Sequence, residues 1–293
     1  GDGGTVTINS GSGSNNSNNN GGGTTQIAGR IEAQGRRRTS NSQSSNQPTQ
    51  SAKGGVVAVL GSSINLMTTA NLDVSGDNGG GGIYIGGGWQ GQDPLLPSAQ
   101  ITTVTSGATL KANGDIQGNG GTIVVWSDVH NPLSITTVQG IFEAKGGAAG
   151  GSGGRIETSG ATLNIGHGII INAQSNRGES GLWLLDPYNY TIGTNEAAAI
   201  STALNSADVT ISTSDSTYSY GALEEVGVDT ANITVNAPIS WASNKLTLDS
   251  ANDLNIKATL NATGTGSLRF YYGQKSSTGG SSAYIAVSYT HLT

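Results

Sequence analysis

Acidic side chains are the first candidates for chemistry in this chain, because carboxylates that converge on one groove can perform acid–base attack on a polysaccharide. The aspartates considered for this role are Asp93, Asp128, Asp186, Asp229 and Asp249. We predict a turn at each, where an aspartate commonly accepts hydrogen bonds from nearby backbone amides. No two carboxylates stand at i and i+2 within a predicted strand. The sequence therefore predicts no catalytic residue.

Histidines and oxygen-rich turns are candidates for metal ligation. His130, His167 and His291 are isolated and lack the close spacing of a zinc site. The run from Asn113 to Gly120 is similar to a calcium-binding nonapeptide, but such a site requires tandem copies and this chain has one. We therefore predict neither a metal site nor a cofactor.

Aromatic side chains are candidates for sugar binding, since their rings stack on saccharides. We expect exposed rings at four positions: Trp89, Tyr188, Tyr190 and Trp241. The same residues can instead form ladders between neighbouring coils of a stacked fold, and we favour this interpretation. The four residues are kept as candidate glycan contacts.

Leu182–Leu185 is a continuous apolar run typical of a strand buried on both faces, and Asp186-Pro187 is expected to make the turn after it.

The composition excludes some partners. The chain has 293 residues, a net charge of −6 and only 13 Lys and Arg residues, whereas a nucleic-acid-binding face needs clustered cations. The one basic run, Arg36 to Arg38, lies among Ser, Gln and Asn and predicts a solvated loop. No apolar run approaches the length of a membrane span. The absence of cysteine favours an exported protein.

A repeated unit must position these residues. An alternating strand ends in glycine, and a second strand opens on Gly-Gly 9, 10 or 11 residues after the first apolar residue of the unit. The three copies begin at Leu72, Leu110 and Phe142, and their glycine pairs begin at Gly81, Gly120 and Gly153. Short strands with one apolar face bury that face by stacking coil on coil. The pattern therefore predicts an all-β parallel β-helix with glycine-rich corners.

Four regions follow from this pattern. Residues 1–53 are predicted as coils with Asn/Ser/Gly-rich inserts at 10–23 and 36–53, and residues 54–192 as the body of the stack. A short helix near 196–204, capped by Asn195, is expected to mark a boundary before further coils at 193–287. Residues 288–293 break the pattern and are interpreted as a non-native tail. We expect the whole to be an internal piece of a longer protein.

Four blocks of the sequence resemble the ordered blocks of filamentous-haemagglutinin-like exoproteins. They are Ile83–Gly91 (IYIGGGWQG), Gly120–Asp128 (GGTIVVWSD), Gly150–Gly160 (GGSGGRIETSG) and Gly181–Ile192 (GLWLLDPYNYTI). They occur in the family's order, and a weaker likeness continues in Asn232–Trp241. The resemblance covers residues 54 to about 275.

The resemblance implies a right-handed β-helix, export through the outer membrane by two-partner secretion, and adhesion at the bacterial surface. The transporter partner recognises an amino-terminal domain that this sequence lacks. Expected partners are host-cell or neighbouring-cell glycans or proteins, with end-to-end self-association through exposed coil edges. The alternatives are the stalk of a toxin or haem-capturing exoprotein of the same secretion type, or a polysaccharide-active β-helix enzyme.

Overall fold

The computed structural model describes residues 1–11, 22–37, 52–213, 231–273 and 284–286. Strands account for 44% of the structure, and they form parallel sheets in which the strands are stacked in order. This arrangement is consistent with a parallel β-helix, as the glycine pairs predict. Most of the two polar inserts, together with Arg38, Asp229, His291 and the tail 288–293, lies outside the described residues.

Sheet A has nine strands and contains one strand from every successive coil. In chain order these are β1 (Thr5–Asn9), β4 (Val56–Leu60), β7 (Gly82–Ile85), β10 (Thr122–Trp126), β13 (Arg155–Gly160), β16 (Gly181–Pro187), β18 (Ala207–Ser212), β21 (Lys245–Asp249) and β24 (Ser267–Tyr271). Every neighbouring pair is parallel.

Sheets B and C accompany sheet A through the first five coils. Sheet B contains β2 (Thr24–Ile27), β5 (Ser63–Leu66), β8 (Ile101–Val104), β11 (Ile135–Val138) and β14 (Thr162–Ile165). Sheet C contains β3 (Arg30–Glu32), β6 (Asn71–Asp73), β9 (Thr109–Lys111), β12 (Ile141–Glu143) and β15 (Ile170–Asn172). Each of these coils therefore has three short strands joined by corners.

Two smaller sheets replace B and C in the later coils. Sheet D contains β17 (Tyr190–Ile192), β19 (Ile233–Val235), β22 (Leu254–Ile256) and β25 (Tyr284–Ala286), and sheet E pairs β20 (Ile239–Trp241) with β23 (Leu260–Ala262). The α-helix α1 (Thr194–Ala203) follows β17 in the chain and packs against both β15 and β20. The helix thus fills the place of a strand where sheet C ends and sheet E begins.

The strands of the three copies are in register, although the corners that join them differ in length. Leu72, Leu110 and Phe142 occupy equivalent positions in sheet C, and Gly82, Thr122 and Arg155 do so in sheet A. A Cβ atom on Gly153 would collide with the carbonyl oxygen of Ala173, and one on Gly154 with the carbonyl oxygen of Gly121. The glycine pairs recur because the corners pack backbone against backbone.

The core is formed by two inward columns of sheet A together with the inward residues of the other sheets. One column runs Val57, Ile83, Ile123, Ile156, Trp183, Val209 and Leu246; the other runs Val59, Ile85, Val125, Thr158, Leu185, Ile211 and Leu248. Thr158 is the one polar member, and its Oγ1 accepts a hydrogen bond of 3.1 Å from Trp183 Nε1. The threonine therefore satisfies an indole N–H that the stack buries completely.

The predicted turn at Asp186-Pro187 is wrong in detail. Asp186 and Pro187 belong to β16, and the turn comes after them. Strand β16 itself is buried on both faces, as its apolar run predicts.

Helix α1 confirms the predicted short helix and corrects its details. Its N-cap is Gly193, whose N–H donates to Glu196 Oε2 at 3.1 Å, so Asn195 lies inside the first turn instead. Its buried face contains Ala197, Ala199, Ile200 and Ala203, whereas Ala198 faces solvent.

Arg36 and Arg37 of the basic run, predicted as part of a solvated loop, are held by contacts to acidic residues. Arg36 forms ion pairs with Asp77 and Asp115, and the backbone N–H of Arg37 donates to Asp77. The hydrogen bond to Asp115 raises the pKa of Arg36, and the Arg37 N–H lowers the pKa of Asp77. These contacts arise because Gly35, Gly76 and Gly114 stack in one corner column. Arg36 and Arg37 therefore join successive corners.

Candidate functional site

The four blocks that carry the family resemblance come together on sheet A. They contain β7, β10, β13 and β16, which are four consecutive neighbours in the sheet. The first block continues beyond β7 into residues 86–100, which we call the strap. The strap crosses the outer face of sheet A before β8 begins.

The strap is fixed over Trp126, an outward-facing residue of β10. Trp126 Nε1 donates to Ser98 Oγ at 2.9 Å, and the side chain is buried. A Cβ on Gly87 or Gly91 would collide with its indole ring, and both glycines have positive φ. The glycines of the first block therefore allow backbone to pack directly on the tryptophan of the second block.

A second apolar cluster lies under the strap, outside the main core. Val124, Trp126 and Val129 form it, with Tyr84 and Trp89 packed against it. Trp89 begins a short 3₁₀ turn, and the guanidinium of Arg155 lies 4.4 Å from its ring centroid. Arg155 Nε also donates to Thr122 Oγ1 at 3.1 Å. The Arg155 side chain is thus fixed by an aromatic face and by a hydrogen bond.

Glu157 is a buried titratable group of this region. It faces outward from β13, yet the strap covers it completely. Its Oε2 accepts the backbone N–H of Gln90 and its Oε1 accepts the hydroxyl of Ser159, each at 2.9 Å. Burial, with a smaller contribution from the charge of Asp186, raises the pKa of Glu157 to about 8. The side chain is therefore mostly protonated at neutral pH.

Asp186 gives Glu157 an acidic neighbour on the next strand. Ser159 pairs with Asp186 in register, so Glu157 and Asp186 are diagonal neighbours on the outer face. The sequence criterion of two carboxylates at i and i+2 in one strand missed this pair, since the sheet joins residues from two coils. Both are buried, so in this structure the pair positions the strap and does not face solvent.

A groove adjoins the strap at the start of five neighbouring strands of sheet A. Its volume is about 540 Å³. Its floor contains backbone of the glycine pairs at 120–121 and 153–154, and charged walls come from Arg155, Glu179, Asp208 and Lys245. Asp208 Oδ2 and Lys245 Nζ form an ion pair of 3.3 Å. The groove is polar and extends across the strands.

The four candidate glycan contacts do not form one surface. Trp89 and Tyr188 are half-buried, whereas Tyr190 and Trp241 are each 4% exposed. The expectation of exposed rings is therefore wrong for Tyr190 and Trp241, because both pack into the core of the stack. Burial raises the pKa of Tyr190 well above its usual value.

The candidate aspartates separate into two groups. Asp93 and Asp128 accept backbone N–H bonds from residues two positions later, as turn aspartates do. Asp186 and Asp249 instead lie in strands, so a turn at these positions was wrong.

Over the described ranges, no three His, Cys, Asp or Glu side chains come together as a metal-binding group. Nor does that part of the chain contain a helix long and apolar enough to cross a membrane.

Comparisons with known proteins give no family to this chain. No model of a known protein family matches it, and no curated protein matches it either.

Proposed function

We propose that this chain is a segment of the shaft of a secreted filamentous adhesin, folded as a right-handed parallel β-helix. It acts as a rigid stalk and as an interaction surface at the bacterial cell surface. The observation that carries the proposal is the continuous sheet A, in which nine strands keep parallel register. A continuous ladder transmits force along the stack, as a stalk requires.

The four motif blocks support the same proposal. They resemble blocks of haemagglutinin-like exoproteins, and in space they form consecutive strands closed by the strap. Such a protein leaves the cell through an outer-membrane transporter and contacts glycans or proteins of other cells. Weak contacts repeated along a shaft would sum to firm adhesion.

Adhesion of beads coated with the full chain to epithelial cells tests this function. We expect coated beads to bind cells, soluble chain to compete with them, and albumin-coated beads to remain unbound. Absence of adhesion by folded chain would contradict the proposal. A haem titration with a Soret shift would favour the haem-capturing alternative.

The polysaccharide-active alternative has one observation in its favour, the carboxyl pair Glu157 and Asp186. Two carboxyls side by side, one of them protonated, would suit acid–base chemistry on a sugar. Burial under the strap opposes it, because substrate must reach the acid. Release of reducing ends from polysaccharides by the wild-type chain, lost in Glu157→Gln, would establish this alternative.

A further inference from the structure

We infer that the groove beside the strap binds an extended, uncharged oligosaccharide that lies across the strands of sheet A. The inference rests on the proposed adhesive function and gives it a site and a ligand class. The groove extends from Thr122 on β10 to Lys245 on β21, and so spans five strands. At about 4.8 Å per strand this is roughly 19 Å, the length of about four sugar rings.

The floor of the groove is a permanent feature of the stack. Side chains at Gly120, Gly153 and Gly181 would collide with backbone, so the floor cannot be filled without moving a corner. The walls are side chains from successive coils with oxygen and nitrogen groups at their ends, including Asn119, Ser152 and Ser180. These groups can donate to and accept from sugar hydroxyls.

The charges of the walls balance. Arg155 and Lys245 supply two positive charges, and Glu179 and Asp208 supply two negative charges. Asp208 and Lys245 pair with each other, both through their side chains and through the Lys245 N–H to Asp208 Oδ1 at 2.8 Å. Such walls offer no net field to a polyanion or polycation, which favours an uncharged ligand.

A peptide fits this groove poorly. Strands β10, β13, β16 and β18 are each paired on both sides, so they offer no free edge to which a peptide strand could add. Leu182 is the one large apolar side chain in the lining, which leaves no pocket for apolar peptide side chains. Sugar hydroxyls match the lining better.

Arg155 is the residue we expect to contact the ligand most directly. Its Nε is occupied by Thr122, while Trp89 supports the plane of the guanidinium. The terminal amino groups therefore have a fixed direction at the groove wall, and less side-chain entropy is lost on binding. Trp89 acts as a positioning residue for Arg155, not as the stacking platform.

Calorimetric titration of the full chain with cellotetraose and chitotetraose tests the inference, with tetragalacturonate as the charged probe. We expect at least one neutral tetrasaccharide to bind, and to bind more tightly than tetragalacturonate. Ser180→Trp, which fills the groove, and Arg155→Ala should each weaken binding at least tenfold. The matched control is Ser106→Trp, an exposed serine away from the groove, which should bind as wild type does.

The outcomes separate this inference from the adhesive function. Wild-type affinity in Ser180→Trp, no binding of either neutral probe, or a preference for tetragalacturonate would each overturn the groove assignment. If coated beads still adhere to cells in that case, adhesion stands and uses another surface. For Trp89, Trp89→Phe should retain binding while Trp89→Ala loses it; equal loss in both would overturn its positioning role.

Discussion

Sheet A and sheets B and C meet the helix α1 differently. Sheets B and C end at β14 and β15, just before α1, whereas sheet A passes it through β13, β16 and β18. At this coil, among the described residues, sheet A alone carries strand pairing from the earlier to the later coils. The two halves of the stack are therefore joined by one sheet.

The strands of sheet A and of sheet B also differ in how deeply they are buried. Strands β10, β13 and β16 are almost wholly buried, because the strap or adjoining corners cover their outer face. Strands of sheet B such as β8 and β11 alternate between exposed and buried residues. A strand covered on both faces gains about twice the apolar burial of one covered on one face. The strands of sheet A that lead up to the α1 coil, β10, β13 and β16, are therefore the most deeply buried of the strands compared.

The largest expected effect is that of Trp183→Ala, which removes a buried side chain from sheet A at the α1 coil. We expect a loss of roughly 3–5 kcal/mol in the free energy of unfolding. Because among the described residues only sheet A carries strand pairing across this coil, urea denaturation of this variant should separate into two transitions. The matched variant Phe142→Ala, in the interior of sheet C, should lose a similar amount in one transition. Two transitions in both variants would contradict the view that sheet A joins the two halves of the stack at the α1 coil.

The pH dependence of the free energy of unfolding tests whether the strap buries Glu157 on sheet A. Its folded pKa of about 8 lies above the ordinary value of 4.5, so its contribution to stability is complete below pH 4.5 and falls as pH rises through 8. At about 1.4 kcal/mol per pKa unit, the loss between pH 5 and pH 8 is about 3 kcal/mol. Urea unfolding of Glu157→Gln at both pH values should show a much weaker pH dependence. A dependence equal to that of wild type would contradict the buried, protonated acid.

The hydrogen bond between Trp183 and Thr158 stabilises the interior of sheet A. Thr158→Val keeps the shape of the side chain but leaves the buried Trp183 N–H without its acceptor, which should cost about 1–3 kcal/mol. Thermal melting measures this loss. The double variant Thr158→Val with Trp183→Phe should recover much of it, since neither partner then needs a hydrogen bond. Additive losses would rule out this coupling.

The smallest expected effect concerns α1 itself. Ala198 is exposed within the helix, so Ala198→Gly should cost about 1 kcal/mol through helix propensity alone. Ala148→Gly, at an exposed alanine in a turn, should change the melting temperature little. Equal effects in the two variants would mean that the helix adds no local stability at the junction.

Much of the architecture was predictable because the repeat has a simple physical cause. The Gly-Gly pairs mark corners where backbone packs on backbone, and a strand of sheet A opens at each of them, as the repeat predicts. Boundaries were less predictable where turn residues were continued into strands. Asp186-Pro187 reads as a turn, yet pairing with Ser159 and Gly160 keeps it in β16.

The candidate site was predictable only in parts. Trp89 was singled out as an aromatic, but its support of Arg155 joins two coils 66 positions apart in sequence and needs the strap to be folded. Glu157 gave no signal of its own, since an outward-facing glutamate in a strand is normally solvated. Tyr190 and Trp241 were kept as candidate surface contacts because the sequence does not distinguish a buried aromatic ring from an exposed one.

The stacked strands, the glycine corners and the short helix follow from the sequence, because each depends on local steric limits and on periodic apolar residues. Folding was needed to make the four motif blocks neighbours and to bury Glu157 beside Asp186 under the strap. It also decided that, among the described residues, only sheet A passes α1. The physical reason is that strand pairing joins residues a whole coil apart, and the length of a coil is set by how its corners pack.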